Sequence, residues 1–201
     1  MNILILAGGQ GLRATHLPPG TPKVLSSVAG RPVIGRLLDF VIEQGATSVT
    51  FVLGHSHASV YLWLVERAKA APIPLRVCIE DHPAGTVGAV RHALKTFKFD
   101  PPVVVLNGDT LLDLNLREIV KYRGRDPGVT VVREDPYGPV VLRMLGADAL
   151  AEVVPSEAKN IEDHLWACDA STVFCLPGSF VDVGTPEGYA ASEEWLARGQ
   201  P

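Results

Sequence analysis

ILILAGGQGLRATHLPPGTPK, residues Ile3 to Lys23, runs from a short apolar stretch into a loop with glycines early and prolines late. Ile3 to Leu6 shows no polar alternation, and such a continuous apolar run suits a central strand covered on both faces. Loops leaving the carboxyl ends of parallel strands are where open α/β sheets bind ligands. Gly8, Gly9 and Gly11 let backbone N–H groups approach an anion with no Cβ in the way. Arg13 and Lys23 add cations to the same loop. Gly9-x-Gly11-x-x-Ala14 has the spacing of a dinucleotide fingerprint, but that motif must open a helix whose N-terminus holds the pyrophosphate. Pro18, Pro19 and Pro22 forbid a long helix here. The next apolar strand also ends in Leu53-Gly54-His55, with no acidic residue. The Walker pattern G-x-x-x-x-G-K-[ST] is absent. A tight turn with incidental charge is the plain alternative. An irregular loop wrapping a triphosphate uses every feature of the segment.

Outward from this loop, short β-branched runs alternate with helix-length amphipathic stretches. Pro32 opens a stripe of Val33, Ile34, Leu37, Leu38, Val41 and Ile42 that Gly45 ends, a helix. Val49–Leu53 is the next predicted strand, and Val60, Leu64 and Arg67 share one face of the helix after it. Leu75–Ile79 predicts a third strand, Val87, Val90, Leu94 and Phe97 a third helix, and Val103–Leu106 a fourth strand. This order implies a parallel sheet with right-handed crossovers. Beyond it, Val129–Val132, Val140–Leu142, Ser171–Cys175 and Phe180–Val183 read as strands. Asp135-Pro136-Tyr137-Gly138 reads as a turn, and Ile161–Cys168 as a short helix. Thr185-Pro186-Glu187 is a hydroxyl cap followed by proline in the first turn, the start of a helix to Ala197.

The 201-residue chain carries 18 Lys+Arg against 22 Asp+Glu, a net charge of −4. Phosphate-backbone binding needs a basic excess, so no nucleic-acid partner is expected. With 47% apolar and 20% charged residues the chain is globular rather than disordered. A chain of this length buries roughly 70% of its extended surface, enough for one sizeable core, and one domain is expected. No apolar run approaches the ~20 residues that span a bilayer. MNILILAGG has no basic stretch ahead of its apolar run, so neither a membrane segment nor a signal peptide is expected. Cys78, Cys168 and Cys175 form no C-x-x-C pair and read as reduced cysteines of a cytoplasmic protein.

Three further segments carry chemistry. Asn107-Gly108-Asp109-Thr110 ends the fourth strand. A carboxylate beside bound phosphates is repelled unless a cation sits between them, so Asp109 points to Mg²⁺. Asn-Gly also begins hairpins, and the alternation of Leu112, Leu114 and Leu116 leaves that reading open. Phe180-Val181-Asp182-Val183-Gly184-Thr185-Pro186 sets a second aspartate at a strand end, and two such carboxylates would be an odd pair to bury without a metal. Glu80-Asp81-His82-Pro83-Ala84-Gly85-Thr86-Val87-Gly88 follows the third strand.

Together these segments resemble the sugar-1-phosphate nucleotidyltransferases, or nucleotide-sugar pyrophosphorylases, over most of the chain from Met1 to Tyr189. The loop is similar to their G-G-x-G-[TS]-R…P-K signature, and N-G-D and F-x-D-[IV]-G-T-P to their two metal-binding aspartate motifs. Glu80–Gly88 resembles their E/Q-x-x-P-x-G-T-x-G nucleobase loop. The molybdenum-cofactor nucleotidyltransferases share the leading glycines but lack the paired aspartate motifs. The resemblance implies a three-layer, Rossmann-like α/β fold with a mostly parallel central sheet and a shortened sugar-binding part. It implies one nucleotidyltransferase domain over residues 1–201, with a nucleotide-binding half at 1–125 and an acceptor-binding and closing half at 126–201. The implied reaction is attack of a sugar 1-phosphate on the α-phosphorus of an NTP, with pyrophosphate leaving. Arg13, Lys23 and Asp109 are then the catalytic residues, and Asp109 with Asp182 holds Mg²⁺. Leu6, Ala7, Gly8, Gly9, Gly11, Glu80, Pro83, Gly85 and Thr86 are the nucleotide-binding residues. Enzymes handling thymine or uracil commonly have glutamine at the Glu80 position. A carboxylate only accepts, which suits the adjacent N1–H and amino group of guanine, so GTP is favoured.

The chain departs from the pattern in two places. Leu12 replaces the usual Thr or Ser. The E-K and N-[AG]-G sugar-binding segments are missing between the fourth strand and Asp182, and Lys159 and Glu162 are candidates to substitute. The motifs P-x-G-T-x-G-A, N-G-D-T and D-V-G-T-P sit nearest to the short heptose 1-phosphate guanylyltransferases. Pyrimidine-NTP or mannose-1-phosphate-type transfer, or a catalytically weak nucleotide-binding homologue, are the alternatives. The length leaves no room for the C-terminal β-helix of longer relatives, and a homodimer stays open. His55-x-His57 reads as solvated loop histidines, and Tyr61, Trp63 and Leu64 as core or a subunit contact.

Overall fold

The alternation within Ile3–Leu6 sends Ile3 and Ile5 to one side of a sheet and Leu4 to the other, and all three are fully buried. In the computed structural model this strand, β1 (Asn2–Leu6), lies between β4 (Ser48–Leu53) and β6 (Val103–Asn107) and is parallel to both. The structure describes residues 1–9, 11, 14–54, 58–123, 129–133, 140–153, 172–176 and 180–198. A hairpin of β2 (Ser27–Val28) and β3 (Arg31–Pro32) leads into α1 (Val33–Glu43), and α2 (Ala58–Ala68) follows β4. β5 (Leu75–Ile79) and α3 (Gly85–Thr96) precede β6, after which come β7 (Thr110–Leu112) and α4 (Leu116–Arg123). The remaining elements are β8 (Val129–Arg133), β9 (Val140–Leu145), α5 (Ala147–Val153), β10 (Thr172–Cys175), β11 (Phe180–Asp182) and α6 (Pro186–Ala197).

Seven strands form one sheet in the order β10-β8-β9-β6-β1-β4-β5. Every neighbouring pair is parallel except those made by β9, which runs against both β6 and β8. One apolar layer joins Ile3, Ile5, Phe51 and Leu106 to Leu37 and Leu38 of α1 and to Val60 and Leu64 of α2. The opposite layer joins Leu4, Val52 and Val105 to Val87, Val90 and Ala93 of α3 and to Ala149 of α5. Helices cover both faces of the sheet, and the predicted α/β, mostly parallel architecture is the one observed. A third cluster of Val28, Val33, Leu111, Val181, Val183 and Trp195 lies under β7, β11 and α6.

The predicted helices over Val33–Ile42, Val60–Ala68 and Val87–Phe97 appear as α1, α2 and α3. Gly45, at φ +87°, ends α1 as expected; its N–H donates to the Ile42 carbonyl at 2.9 Å. In the second half, β9 runs to Leu145, past the predicted end at Leu142. The leucine alternation at 112–116 is not a hairpin arm. β7 pairs with β11 instead of β6, and Leu116 already begins α4, whose first turn Asn115 caps by accepting from Glu118 N–H at 3.1 Å. The predicted turn at 135–138, the helix at 161–168, and Lys159 and Glu162 lie outside the described residues. Cys78 is a free thiol buried in the α3 layer, and burial pushes it above the ordinary thiol range.

Candidate active site

β1, β4, β5 and β6 all end at the same edge of the sheet, and their following loops meet there. The loops after β1 and β4 touch through backbone alone. A Cβ on Gly8 would stand 2.9 Å from Gly54 N and 2.7 Å from the Glu80 Oε2, so only glycine allows this approach. Gly108 N–H donates to the Leu6 carbonyl at 2.9 Å, which carries the chain after β6 across the end of β1.

A cavity of about 340 Å³ opens at this edge, lined by Leu6, Gly8, Gly9, Lys23, Glu80, Pro83, Gly85, Thr86, Asp109 and Asp182, all of them residues singled out from the sequence. Ala84 and Asn107, which lie inside two of the motifs, and Ala89 line it as well, although none of the three was assigned a role. Asn107 continues the Val103, Val105 alternation one step past the predicted strand end, and Ala89 lies one helical turn beyond Gly85 and Thr86. Those two periodicities could have found them. Ala7 is buried at the rim, with its N–H donating to the Val52 carbonyl at 2.8 Å. Gly11 lines an adjoining cavity of about 360 Å³ inside the glycine-proline loop, together with Gly9, Pro22 and Lys23. Leu12, Arg13, His55 and His57 lie outside the described residues. Leu64 is core, Trp63 packs against that core, Tyr61 is exposed, and none of the three lines the cleft.

At one end of the cleft three charged groups converge. Lys23 opens a single 3-10 turn, Lys23–Leu25, and its Nζ donates to Asp109 Oδ2. Asp109 reaches Asp182 through the β7–β11 ribbon, in which Asp182 faces Thr110 and Val183 N–H donates to the Asp109 carbonyl at 2.9 Å. Both carboxylates lie within 3.0 Å of the point a Cβ on Gly184 would occupy, with Asp109 the nearer. Gly184 thus leaves open the space where the two carboxylates meet. Its N–H donates to Asp182 Oδ1 at 2.8 Å and holds that carboxylate in place. Thr185 caps α6 as expected, accepting from Gly188 N–H at 3.1 Å. Among the described residues no three His, Cys, Asp or Glu side chains gather as a metal cage. Two carboxylates facing a phosphate-sized cleft nevertheless suit Mg²⁺, a hard cation that takes one or two protein carboxylates together with substrate phosphates.

Glu80 closes the other end. It is 7% exposed, and its Oε1 is buried with no hydrogen-bond partner. Burial raises its carboxyl above the ordinary value, against a hydrogen bond from the Ala84 backbone and the charge of His92. His16, on the glycine-proline loop, stacks on Tyr189 of α6 with ring centroids 4.6 Å apart. The Tyr189 hydroxyl donates to the Ser27 carbonyl at 2.9 Å, tying β2 to α6.

Residues 2–135 match the model of the nucleotidyl transferase family. The chain belongs to that family. Among curated nucleotidyltransferase relatives, bifunctional protein GlmU of Mycobacterium bovis is 32% identical over 165 residues, 78% of this chain and 33% of that protein. A mannose-1-phosphate guanyltransferase of Pichia angusta is 28% identical over 148 residues, 70% of this chain and 41% of that one. The chain thus spans about a third of the length of GlmU. Among solved structures, HddC from Yersinia pseudotuberculosis superposes with a TM-score of 0.80 at 21% identity, covering 97% of this chain and 99% of that one. HddC is also known in complex with GMP-PN, with a TM-score of 0.78 to this chain. At such identity these neighbours bear on the nucleotidyltransferase fold, which the chain shares along nearly its whole length.

Proposed function

We propose that the chain transfers a nucleotidyl group from an NTP, with GTP favoured, to a heptose or hexose 1-phosphate, giving an NDP-sugar and pyrophosphate. The observation that carries this reading is the convergence of Lys23, Asp109 and Asp182 at one end of a cleft whose other end is the Glu80 loop. An oxygen of the sugar 1-phosphate attacks the α-phosphorus, the bond to the β-phosphate oxygen breaks, and pyrophosphate takes the electron pair. No side-chain nucleophile is needed, so catalysis is positioning plus charge neutralisation. Bound between Asp109 and Asp182, Mg²⁺ would supply charge neutralisation on the phosphates. Lys23 exchanges its bond to Asp109 for the phosphate at the transfer centre, and Arg13 stabilises the departing pyrophosphate. Gly8, Gly9 and Gly11 offer backbone N–H groups to the triphosphate, while Leu6, Ala7, Pro83, Gly85 and Thr86 complete the nucleotide walls.

Glu80 favours guanine because its buried Oε1 is an acceptor lacking a donor, and guanine presents N1–H and an amino group side by side. The complex of HddC with GMP-PN and the guanyltransferase relative support the same base. The latter relative also keeps mannose 1-phosphate among the acceptors to be tried. In this reading residues 1–125 hold the nucleotide, and 126–201 hold the acceptor and close the site. A cytoplasmic setting and a homodimer belong to it too. No helix among the described residues is long and apolar enough to cross a membrane. Tyr61, Leu62 and Val65 on α2 form the exposed apolar face a second copy would cover. Pyrophosphate release with four NTPs crossed with heptose, mannose and glucose 1-phosphates tests the proposal. GTP with one sugar phosphate should lead the panel; a clear lead for UTP or dTTP contradicts the guanine assignment.

A further inference from the structure

The acceptor half lacks the family's sugar-binding segments, yet it sets two arginines on neighbouring strands. Arg143 sits in the middle of β9 and is 3% exposed; Arg133 ends β8 and is half-buried. β8 and β9 pair Val131 with Arg143 and Arg133 with Val140, with a register shift between Val132 and Arg133. Alternation along β8 puts Val131 and Arg133 on the same side of the sheet. Leu142 and Met144, which flank Arg143, belong to the α1–α2 layer, so Arg143 projects to the opposite, α3–α5 face. Val140, opposite Arg133, belongs to that α3–α5 layer, and Arg133 shares its side. Both guanidiniums therefore stand on one face of the sheet.

That face leads to the cleft. On β6, next to β9, Val103 and Val105 belong to the same layer, Val105 faces Arg143, and Asn107 continues the alternation into the cavity lining. Burial lowers the Arg143 guanidinium to about 10, and the charge of Arg133 acts in the same direction. Arg143 is thus poorly solvated and within reach of the Arg133 charge, although each guanidinium also makes contacts within the protein. Among the described residues from 129 onward the one other cation is Arg198, which pairs with Glu194 near the end of α6.

We propose that Arg133 and Arg143 together seat the phosphate of the acceptor sugar 1-phosphate, an inference that rests on the nucleotidyl-transfer reading of the same cleft. Arg133, half-buried at the end of β8, makes the paired N–H···O contacts that a planar guanidinium gives a phosphate. Arg143 is a positioning residue behind it, contributing charge in a setting where water screens little. The NTP lies toward β1, β4 and β5 and does not need this pair, so the two substrates should respond differently to its loss.

The experiment is steady-state pyrophosphate release by the full chain with Mg²⁺ and the preferred NTP, alongside calorimetric NTP binding without acceptor. Arg133→Gln is expected to raise KM for the sugar 1-phosphate about tenfold or more, with the NTP Kd changed by less than about twofold. Arg133→Lys, which keeps charge but loses the fork, should fall between. Arg143→Lys should raise the same KM; if the buried site does not tolerate it, the two Arg133 variants decide. An unchanged acceptor KM in Arg133→Gln overturns the inference, and so does a parallel rise in NTP Kd. Wild-type chain that binds NTP but turns over no sugar 1-phosphate overturns the underlying reading itself, before any variant is made.

Discussion

Asp109 is held by groups with opposite demands: Lys23 bonds to its Oδ2, and the Asp182 carboxylate is turned toward the same small space over Gly184. Two carboxylates and one ammonium leave one negative charge in excess, the local sign that a cation between protein and phosphates would balance. Glu80 makes the complementary case at the base end. Burial raises its folded-state pKa, so ionisation there opposes folding. The penalty is absent below the ordinary glutamate value of 4.5, grows as pH rises past it, and is complete above the raised folded value. Glu80→Gln should therefore raise Tm at pH 7, and the gain should fade as pH drops below 4.5. The same variant should shift base preference from GTP toward UTP or dTTP, because an amide both donates and accepts. Melting curves across pH and a competition assay between NTPs check the two effects separately. A Tm gain that persists unchanged at low pH would contradict the account of Glu80.

The β7–β11 ribbon and α6 form the device that brings the distant aspartates together, and small residues in it should matter beyond their size. Thr185→Ala removes the cap of α6 and should cost about 1 kcal/mol in chemical denaturation. Gly188→Ala should cost more, roughly 1–3 kcal/mol, because its Cβ would fall on the Asp182 carbonyl oxygen and displace the helix from the strand. That variant should also weaken Mg²⁺-dependent turnover by moving Asp182; unchanged activity would contradict the placement of the ribbon in the site. Much of this was legible beforehand. Continuous apolar runs marked β1, β4, β5 and β6, and Thr185-Pro186 marked the start of α6, since caps and central strands are local statements. The β7–β11 pairing was not legible, because strand partners distant in sequence leave no local trace. α4 was hidden because Leu112, Leu114 and Leu116 alternate like a strand, while the cap at Asn115 is a single residue. α5 has only Ala147–Val153, too few residues to display a helical period.

At the scale of the whole molecule the sheet order explains where the site lies. The chain builds β4 and β5 on one side of β1, then crosses to lay β6 on the other, so the strand order reverses between β1 and β6. Ligands bind at such switch points in open α/β sheets. Leu6, Asn107 and Asp109 stand at this one. β9, the strand that runs against the rest, joins β6 to β8, so the strands before and after residue 125 share one continuous sheet. The residues that line the cavity were legible because glycines and aspartates with fixed neighbours carry their motifs. After the fourth strand, the expected sugar-binding segments were legible only by their absence. What replaces them, as proposed above, is an arginine pair whose common face depends on the register of β8 against β9, which no periodicity reveals. Transfer at Asp109 is tested by pyrophosphate release from GTP and a sugar 1-phosphate by wild type and Asp109→Ala, with Mg²⁺ and with chelator. Mg²⁺-dependent release by wild type is expected, with a fall of about a thousandfold or more in Asp109→Ala and its circular dichroism unchanged. Release by Asp109→Ala at the wild-type rate would contradict transfer at that residue.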